Sequence, residues 1–164
     1  MTAAIRRCGD GDFEAIFETI NDAAQAYKGV IPPDRWHDPY MSREALAREL
    51  QEQVRFWAMA EGEAILGVMG IQDKGAVALI RHAYVRTAHR NGGIGSALLR
   101  HIEVTTAKPI LIGTWRASTW AIAFYRSHGY REVPEEEGRR LLREFWNVPD
   151  RQIDTSVVLA REAA

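Results

Sequence analysis

The residues best suited to chemistry lie in one stretch, His89-Arg90-Asn91-Gly92-Gly93-Ile94-Gly95-Ser96. Before it, Val77 to Val85 is largely apolar and β-branched at several positions, as a buried strand would be. After it, Ile94, Ala97, Leu98, His101 and Ile102 recur at the spacing of one helical face. A glycine-rich loop that opens a helix presents free backbone N–H groups and the positive end of the helix dipole, which together make an anion site, most often for phosphate. No acidic residue stands between Asp73 and Glu103, whereas Lys74, Arg81, Arg86, Arg90 and Arg100 all do. The loop therefore reads as the binding site of a phosphorylated ligand.

Two familiar phosphate loops are excluded by the residues present. A nucleotide P-loop needs lysine after its last glycine, but Gly95 is followed by Ser96 and Ala97. A dinucleotide loop wants a small residue where Leu98 stands, and an acidic residue ending the next strand, yet Pro109 to Thr114 has none. The pattern that fits is Arg/Gln-x-x-Gly-x-Gly/Ala, filled by Arg90 to Gly95. Downstream, Ser118-Thr119-Trp120-Ala121-Ile122-Ala123-Phe124-Tyr125-Arg126-Ser127-His128-Gly129-Tyr130 reads as a helix capped by Ser118, with Ala121, Ile122 and Tyr125 on one face and Gly129 as its terminator. With the strand Ile110 to Thr114 between them, the two motifs resemble, in order and spacing, the signatures of the GNAT superfamily of acyl-CoA N-acyltransferases, and within it the small-molecule enzymes of the phosphinothricin-acetyltransferase-like kind. The resemblance runs from about Ala64 to Tyr130. Ser118 departs from it, because the family usually carries asparagine there.

The resemblance implies an α/β (α+β) fold: a central, mixed, mostly antiparallel twisted sheet of about seven strands, helices on both faces, and a splayed wedge between strands 4 and 5. It implies acetyl-CoA as cofactor, with the pyrophosphate on Arg90, Asn91, Gly92, Gly93, Ile94, Gly95 and Ser96. The pantetheine arm would lie along Ala83, Tyr84 and Val85, with Ser118 and Tyr125 on the opposite side. The reaction it implies is direct attack of a neutral primary amine on the thioester, with a backbone N–H as oxyanion donor and Tyr125 as acid to the departing thiolate. For the base, the residues leave several choices: His82 on the cofactor strand, His37 or Asp34 in a proline-rich loop, or water. Gly113 stands where some relatives carry a glutamate base. Simple alternation puts His82 on the face of Ile80 and Tyr84, opposite Arg81 and Ala83.

The elements that position these residues follow from local pattern. Ala3 to Arg7 reads as a first strand, and Asp10 or Asp12 can cap a helix with Phe13, Ile16, Phe17, Ile20 and Ala24 on its apolar face. Tyr27 to Tyr40 carries three prolines and cannot be a regular element. Its rings Tyr27, Trp36 and Tyr40, with Asp34 and Asp38, are the candidate binding residues for a small cationic amine. Ser42 caps a second helix bearing Leu46, Leu50 and Val54. Strands at Phe56 to Ala60, Ala64 to Gln72 and Val77 to Val85 form a meander across Glu61-Gly62-Glu63 and Asp73-Lys74-Gly75. The loop helix, the Ile110 strand, the Tyr125 helix and a strand from Tyr130 to Val133 come next. A short helix around Leu141, Leu142, Phe145 and Trp146 precedes a last strand expected over Ile153 to Leu159.

At 164 residues the chain is expected to form one domain over 1–164, with 46 % apolar and 26 % charged residues, ordinary values for a water-soluble protein. A net charge of −1 argues against a general nucleic-acid binder, so the basic run is a local field. A lone Cys8 excludes an internal disulfide and suits the cytoplasm. The N-terminus lacks the apolar core of a signal peptide, and no uncharged apolar run approaches membrane-spanning length. No metal site is expected, and a homodimer is allowed. The reading is thus an acetyl-CoA-dependent N-acetyltransferase of a small-molecule amine. The alternatives are acetylation of a protein N-terminus or lysine, and a non-catalytic acyl-CoA sensor.

Overall fold

The computed structural model describes residues 2–163. Seven strands, β1 (Ala4–Arg7), β2 (Arg55–Glu61), β3 (Ala64–Asp73), β4 (Ala78–Val85), β5 (Ile110–Trp115), β6 (Arg131–Glu132) and β7 (Ser156–Arg161), form one sheet in the order β1-β2-β3-β4-β5-β7-β6. Every neighbouring pair is antiparallel except β4 and β5, which are parallel. This is the expected mixed sheet, with the parallel pair where the wedge was expected.

Both faces of the sheet are covered, and alternation along each strand decides what each face meets. On one side Ile80, Ile110, Ile112, Val157 and Leu159 pack against Leu98, Leu99 and Ile102 of α3 (Ile94–Glu103) and Tyr125 of α4 (Thr119–Ser127). On the other, Phe56, Ala58 and Val68 meet Ile16 and Ile20 of α1 (Phe13–Ala23) and Leu46 of α2 (Arg43–Gln51). Further along that face, Leu79, Leu111 and Val158 meet Leu141 and Leu142 of α5 (Glu135–Phe145) and Ile153 of α6 (Asp150–Asp154). Each buried Leu or Ile contributes about 1.5–3 kcal/mol, so these three clusters fix the frame. The Ser42 hydroxyl caps α2 as expected, accepting from Ala45 N at 3.1 Å.

The C-terminal third departs from the sequence reading. The helix around Leu141 begins a full turn and more earlier, at Glu135, where Pro134 and three consecutive glutamates favour a helix start. Ile153 belongs to the short helix α6 rather than to the last strand, which begins only at Ser156. Burial of Ile153 against α5 outweighs its β-branched preference for a strand.

Candidate functional site

The wedge forms because β4 and β5 stop pairing early. Their register covers only Ala78↔Ile110, Leu79↔Leu111 and Ile80↔Ile112, although β4 runs on to Val85 and β5 to Trp115. Past that point β4 carries a bulge: Gly70 faces Arg81 and Val68 faces Tyr84, leaving His82 and Ala83 opposite the single residue Met69. His82 takes a left-handed backbone, φ 56°, uncommon for any residue with a side chain. The extra residue inverts the alternation beyond it. Arg81, His82 and Tyr84 therefore lie on the α1–α2 face, while Ile80 and Ala83 face α3 and α4. His82 thus does not share the face of Ile80 that simple alternation predicts, because one inserted residue moves every later side chain to the other face.

At the wide end of the wedge lies the glycine-rich loop. Asn91 (φ 64°) and Gly93 (φ 83°) are left-handed, and Gly93 caps α3. The helix's first bond runs from Ala97 N to Gly93 O at 3.0 Å, which leaves the amides of Ile94, Gly95 and Ser96 without an intrahelical acceptor. The loop is tied down from α1, since Thr87 N donates to Asp22 Oδ2 at 2.7 Å. A cavity of about 370 Å³ opens in front of it. Its walls include Ala83, Tyr84 and Val85 from β4, Arg90, Asn91, Gly93, Gly95 and Ser96 from the loop, and Trp120, Phe124 and Tyr125 from α4. Of the five cations in the acid-free run, Arg90 alone lines this cavity. Arg81 pairs with Glu49, Arg86 stands 3.7 Å from Glu18, Lys74 lies in the turn after β3, and Arg100 points outward from α3. Three expected contacts also stand off the wall: Gly92, Ile94, which packs into the core, and Ser118. Ser118 is fully buried with an unpartnered Oγ, and it caps α4 with its carbonyl, which accepts from Ala121 N and Ile122 N. Free helix amides, one arginine and an unpaired strand edge suit a diphosphate joined to an amide-bearing arm.

A second, smaller cavity of about 120 Å³ lies on the other face of the sheet, against the same wedge. Tyr27, Tyr40, Trp115, Trp146, Arg81 and His82 are among the residues that enclose it, and Tyr27 and Tyr84 wall both cavities. The rings hold one another: Tyr27 lies 5.3 Å from Tyr40 and stacks on Trp120 at 6.1 Å, while Trp115 Nε1 donates to Tyr40 Oη at 2.9 Å. Burial raises the Tyr27, Tyr40 and Tyr84 phenols above their ordinary value, so all three stay protonated. Trp36 stacks on Tyr40 at 5.9 Å but lines an outer cleft with Trp115 and Arg151. Asp34 pairs with Arg151 at 3.2 Å on the surface and Asp38 is exposed, so neither acid reaches the second cavity. His37 is likewise exposed. A Cβ on Gly113 would stand 3.2 Å from Trp146 Cζ2, so the indole takes the space of any side chain at that position. Among the described residues no group of three His, Cys, Asp or Glu could hold a metal ion, and no helix is long and apolar enough to cross a membrane.

Residues 19–143 match the model of the acetyltransferase (GNAT) domain family, well over half of the chain. The chain belongs to the GNAT family of acetyltransferases. It is similar to YjcF, an uncharacterized N-acetyltransferase of Bacillus subtilis (strain 168), at 28 % identity over 90 residues, which cover 54 % of this chain and 64 % of the relative. The chain thus spans somewhat under two thirds of that relative's length. Among solved structures, a GNAT-family acetyltransferase from Staphylococcus aureus Mu50 superposes with a TM-score of 0.73 at 19 % identity, covering 98 % of both chains. The PaiA N-acetyltransferase from Thermoplasma acidophilum, in complex with coenzyme A, gives 0.74 at 16 % identity, covering 99 % of both.

In this GNAT domain Tyr125 is 5 % exposed and sits at the junction of the loop cavity with the core. Burial, with a smaller contribution from Tyr27, raises its phenol well above the usual value, so it holds its proton at any working pH. Glu49, which meets Arg81 and His82, and Trp146, which lines the second cavity, were not among the site residues the sequence suggested. Glu49 had a faint signal: it follows Leu46 by three positions, a carboxylate on the core-facing side of α2. Trp146 was visible only as an apolar residue near a helix end.

Proposed function

We propose that this GNAT protein transfers an acetyl group from acetyl-CoA to the primary amine of a small molecule. The observation that carries the reading is the meeting of two cavities at one gap in the sheet, one floored by free helix amides and the other closed by aromatic rings. The amides of Ile94, Gly95 and Ser96 with Arg90 would hold the diphosphate, and the unpaired edge of β4 from Ala83 to Val85 would take the amide arm. When bound, acetyl-CoA supplies an acetyl thioester. A backbone N–H on the unpaired β4 edge would donate to the thioester carbonyl oxygen. Tyr125 Oη carries the proton that a leaving thiolate requires, and His82 accepts the proton that an ammonium must lose before it can attack. The small volume beyond the gap favours a compact amine, met by aromatic rings on one side and by polar groups such as Arg81, Thr114 and Gln152 on the other. The single cysteine, Cys8, is unpaired, which fits a reducing compartment such as the cytoplasm.

A second reading, acetylation of a protein amine, draws on the outer cleft of about 740 Å³ beside Trp36 and Trp115, several times the volume of the inner cavity. Thiol release measured with small amines and with short peptides decides between the two; turnover confined to peptides would overturn the small-molecule reading. Coenzyme A titrated calorimetrically against the wild type and Gly93→Val tests the donor side. A β-branched residue at φ 83° costs about 1–2 kcal/mol of backbone strain and disturbs the amide cradle, so affinity should fall at least tenfold. Undiminished affinity would move the diphosphate elsewhere.

A further inference from the structure

Behind His82 lies a carboxylate that neither cavity touches. Glu49 projects from α2 and is 12 % exposed, a costly place for a charge. Its two oxygens are divided: Oε1 accepts from Arg81 Nη2, and Oε2 meets His82 Nε2. Arg81 is held in turn by Gln72 Oε1 at 3.1 Å. The imidazole lies near the rings of Phe56 and Tyr84, at 6.2 and 6.4 Å, and its backbone is left-handed. An Arg81–Glu49 pair would by itself anchor α2 to the sheet. It does not call for a histidine on the second oxygen, nor for a strained residue in the bulge to bring it there.

We infer that Glu49 is the positioning residue for His82: it accepts the Nε2 proton, fixes the tautomer, and leaves the Nδ1 lone pair to the second cavity. The inference rests on the proposed role of His82 as base. In the proton transfer an ammonium N–H bond breaks and an Nδ1–H bond forms. The imidazolium so produced faces an ionised carboxylate, which stabilises it, and the proton then passes to water. Arg81 on the other oxygen has a separate effect. It already balances the carboxylate's charge, so Glu49 is not left as an uncompensated buried anion when the imidazole is neutral. The other ionisable groups around His82 are the phenols of Tyr84 on β4 and of Tyr27 and Tyr40 across the cavity, all held protonated by burial. Glu49 itself is kept below the usual carboxylate range: burial works against this, and His82 and Arg81 together overcome it.

The test uses the full chain with coenzyme A bound. Nitrogen-detected NMR of the imidazole rings, with His82 identified by its loss in His82→Gln, should show Nε2–H at His82 in the wild type. In Glu49→Gln it should show a mixed or reversed tautomer. The ascending limb of kcat/KM against pH should move to lower pH in Glu49→Gln, because the imidazolium loses its counter-charge. The plateau should fall about 10²-fold, with affinity for coenzyme A unchanged. An Nδ1–H tautomer in the wild type, or a lower rate in Glu49→Gln with an unmoved limb, would overturn the inference. The wild-type spectrum decides even if the variant fails to fold. A His82→Gln enzyme of undiminished rate would instead remove His82 as base, a separate failure read in a separate protein.

Discussion

Replacing Tyr125 with phenylalanine deletes one oxygen and leaves a ring that is built into the core. The ring lies 5.1 Å from Phe124 and 5.9 Å from Tyr130 and packs with Leu98, Ile112 and Leu159. Those contacts survive the change, so stability should shift by no more than about 1 kcal/mol, or about 2–4 °C in melting temperature for a domain of this size. The catalytic loss should be larger. An ordinary phenol near 10 protonates a thiolate whose acid form is near 8.5 only against a gradient of roughly 2 kcal/mol, and burial of Tyr125 steepens it. Placement, not acidity, must then supply the benefit, which puts Tyr125 at the low end for a general acid: about 10² in kcat, or about 2.7 kcal/mol of barrier. Because its pKa is raised, the acid form persists on the alkaline side, and the wild-type rate should show no decline from this group until beyond pH 10. The assay is release of free thiol at saturating acetyl-CoA and amine, with calorimetric affinity for coenzyme A as control. A kcat within twofold of wild type, with affinity and melting temperature unchanged, would refute the role.

Two further outcomes test the frame of the site. A Cβ on Gly67 would stand 2.9 Å from Ile94 Cγ2 and 3.2 Å from the Tyr84 carbonyl oxygen. Gly67→Ala should therefore push the start of α3 outward, costing about 1–3 kcal/mol in a denaturant melt and weakening coenzyme A binding more than it weakens an already bound enzyme's turnover. Asp12 accepts two hydrogen bonds from Arg6, each of 2.9 Å, and one from Gly9 N at 2.8 Å; Arg6 is the main cause of its pKa falling to about 2. Since the folded value lies below the unfolded one, its stabilisation is complete above about pH 4 and disappears as the pH falls toward 2. Thermal melts across that window should show a wild-type decline that Asp12→Asn lacks, the variant starting lower at pH 6; parallel curves would show that the pair contributes nothing.

Short-range chemistry accounts for what the chain alone made legible. The glycine-rich loop turns at Asn91 and Gly93, residue types that tolerate the left-handed backbone found there, so the loop and the helix start could be placed without tertiary information. The same holds for Ser42 as a cap and for the meander through Gly62 and Gly75. The gap between β4 and β5 was legible only by resemblance, since nothing in the composition of either strand says where their pairing ends. What packing decided lies mostly on the far side of that gap. Alternation along a strand is a rule about neighbours, and the bulge at His82 breaks it for a reason held in the partner strand, where Met69 alone faces two residues. Glu49 and His82 are far apart in the chain and meet because α2 and β4 bury adjoining apolar surfaces. Trp146 reaches Gly113 only once Leu141 and Leu142 have set α5 on the sheet. Contacts of that kind depend on how separate elements are stacked, and no spacing within a single element records them.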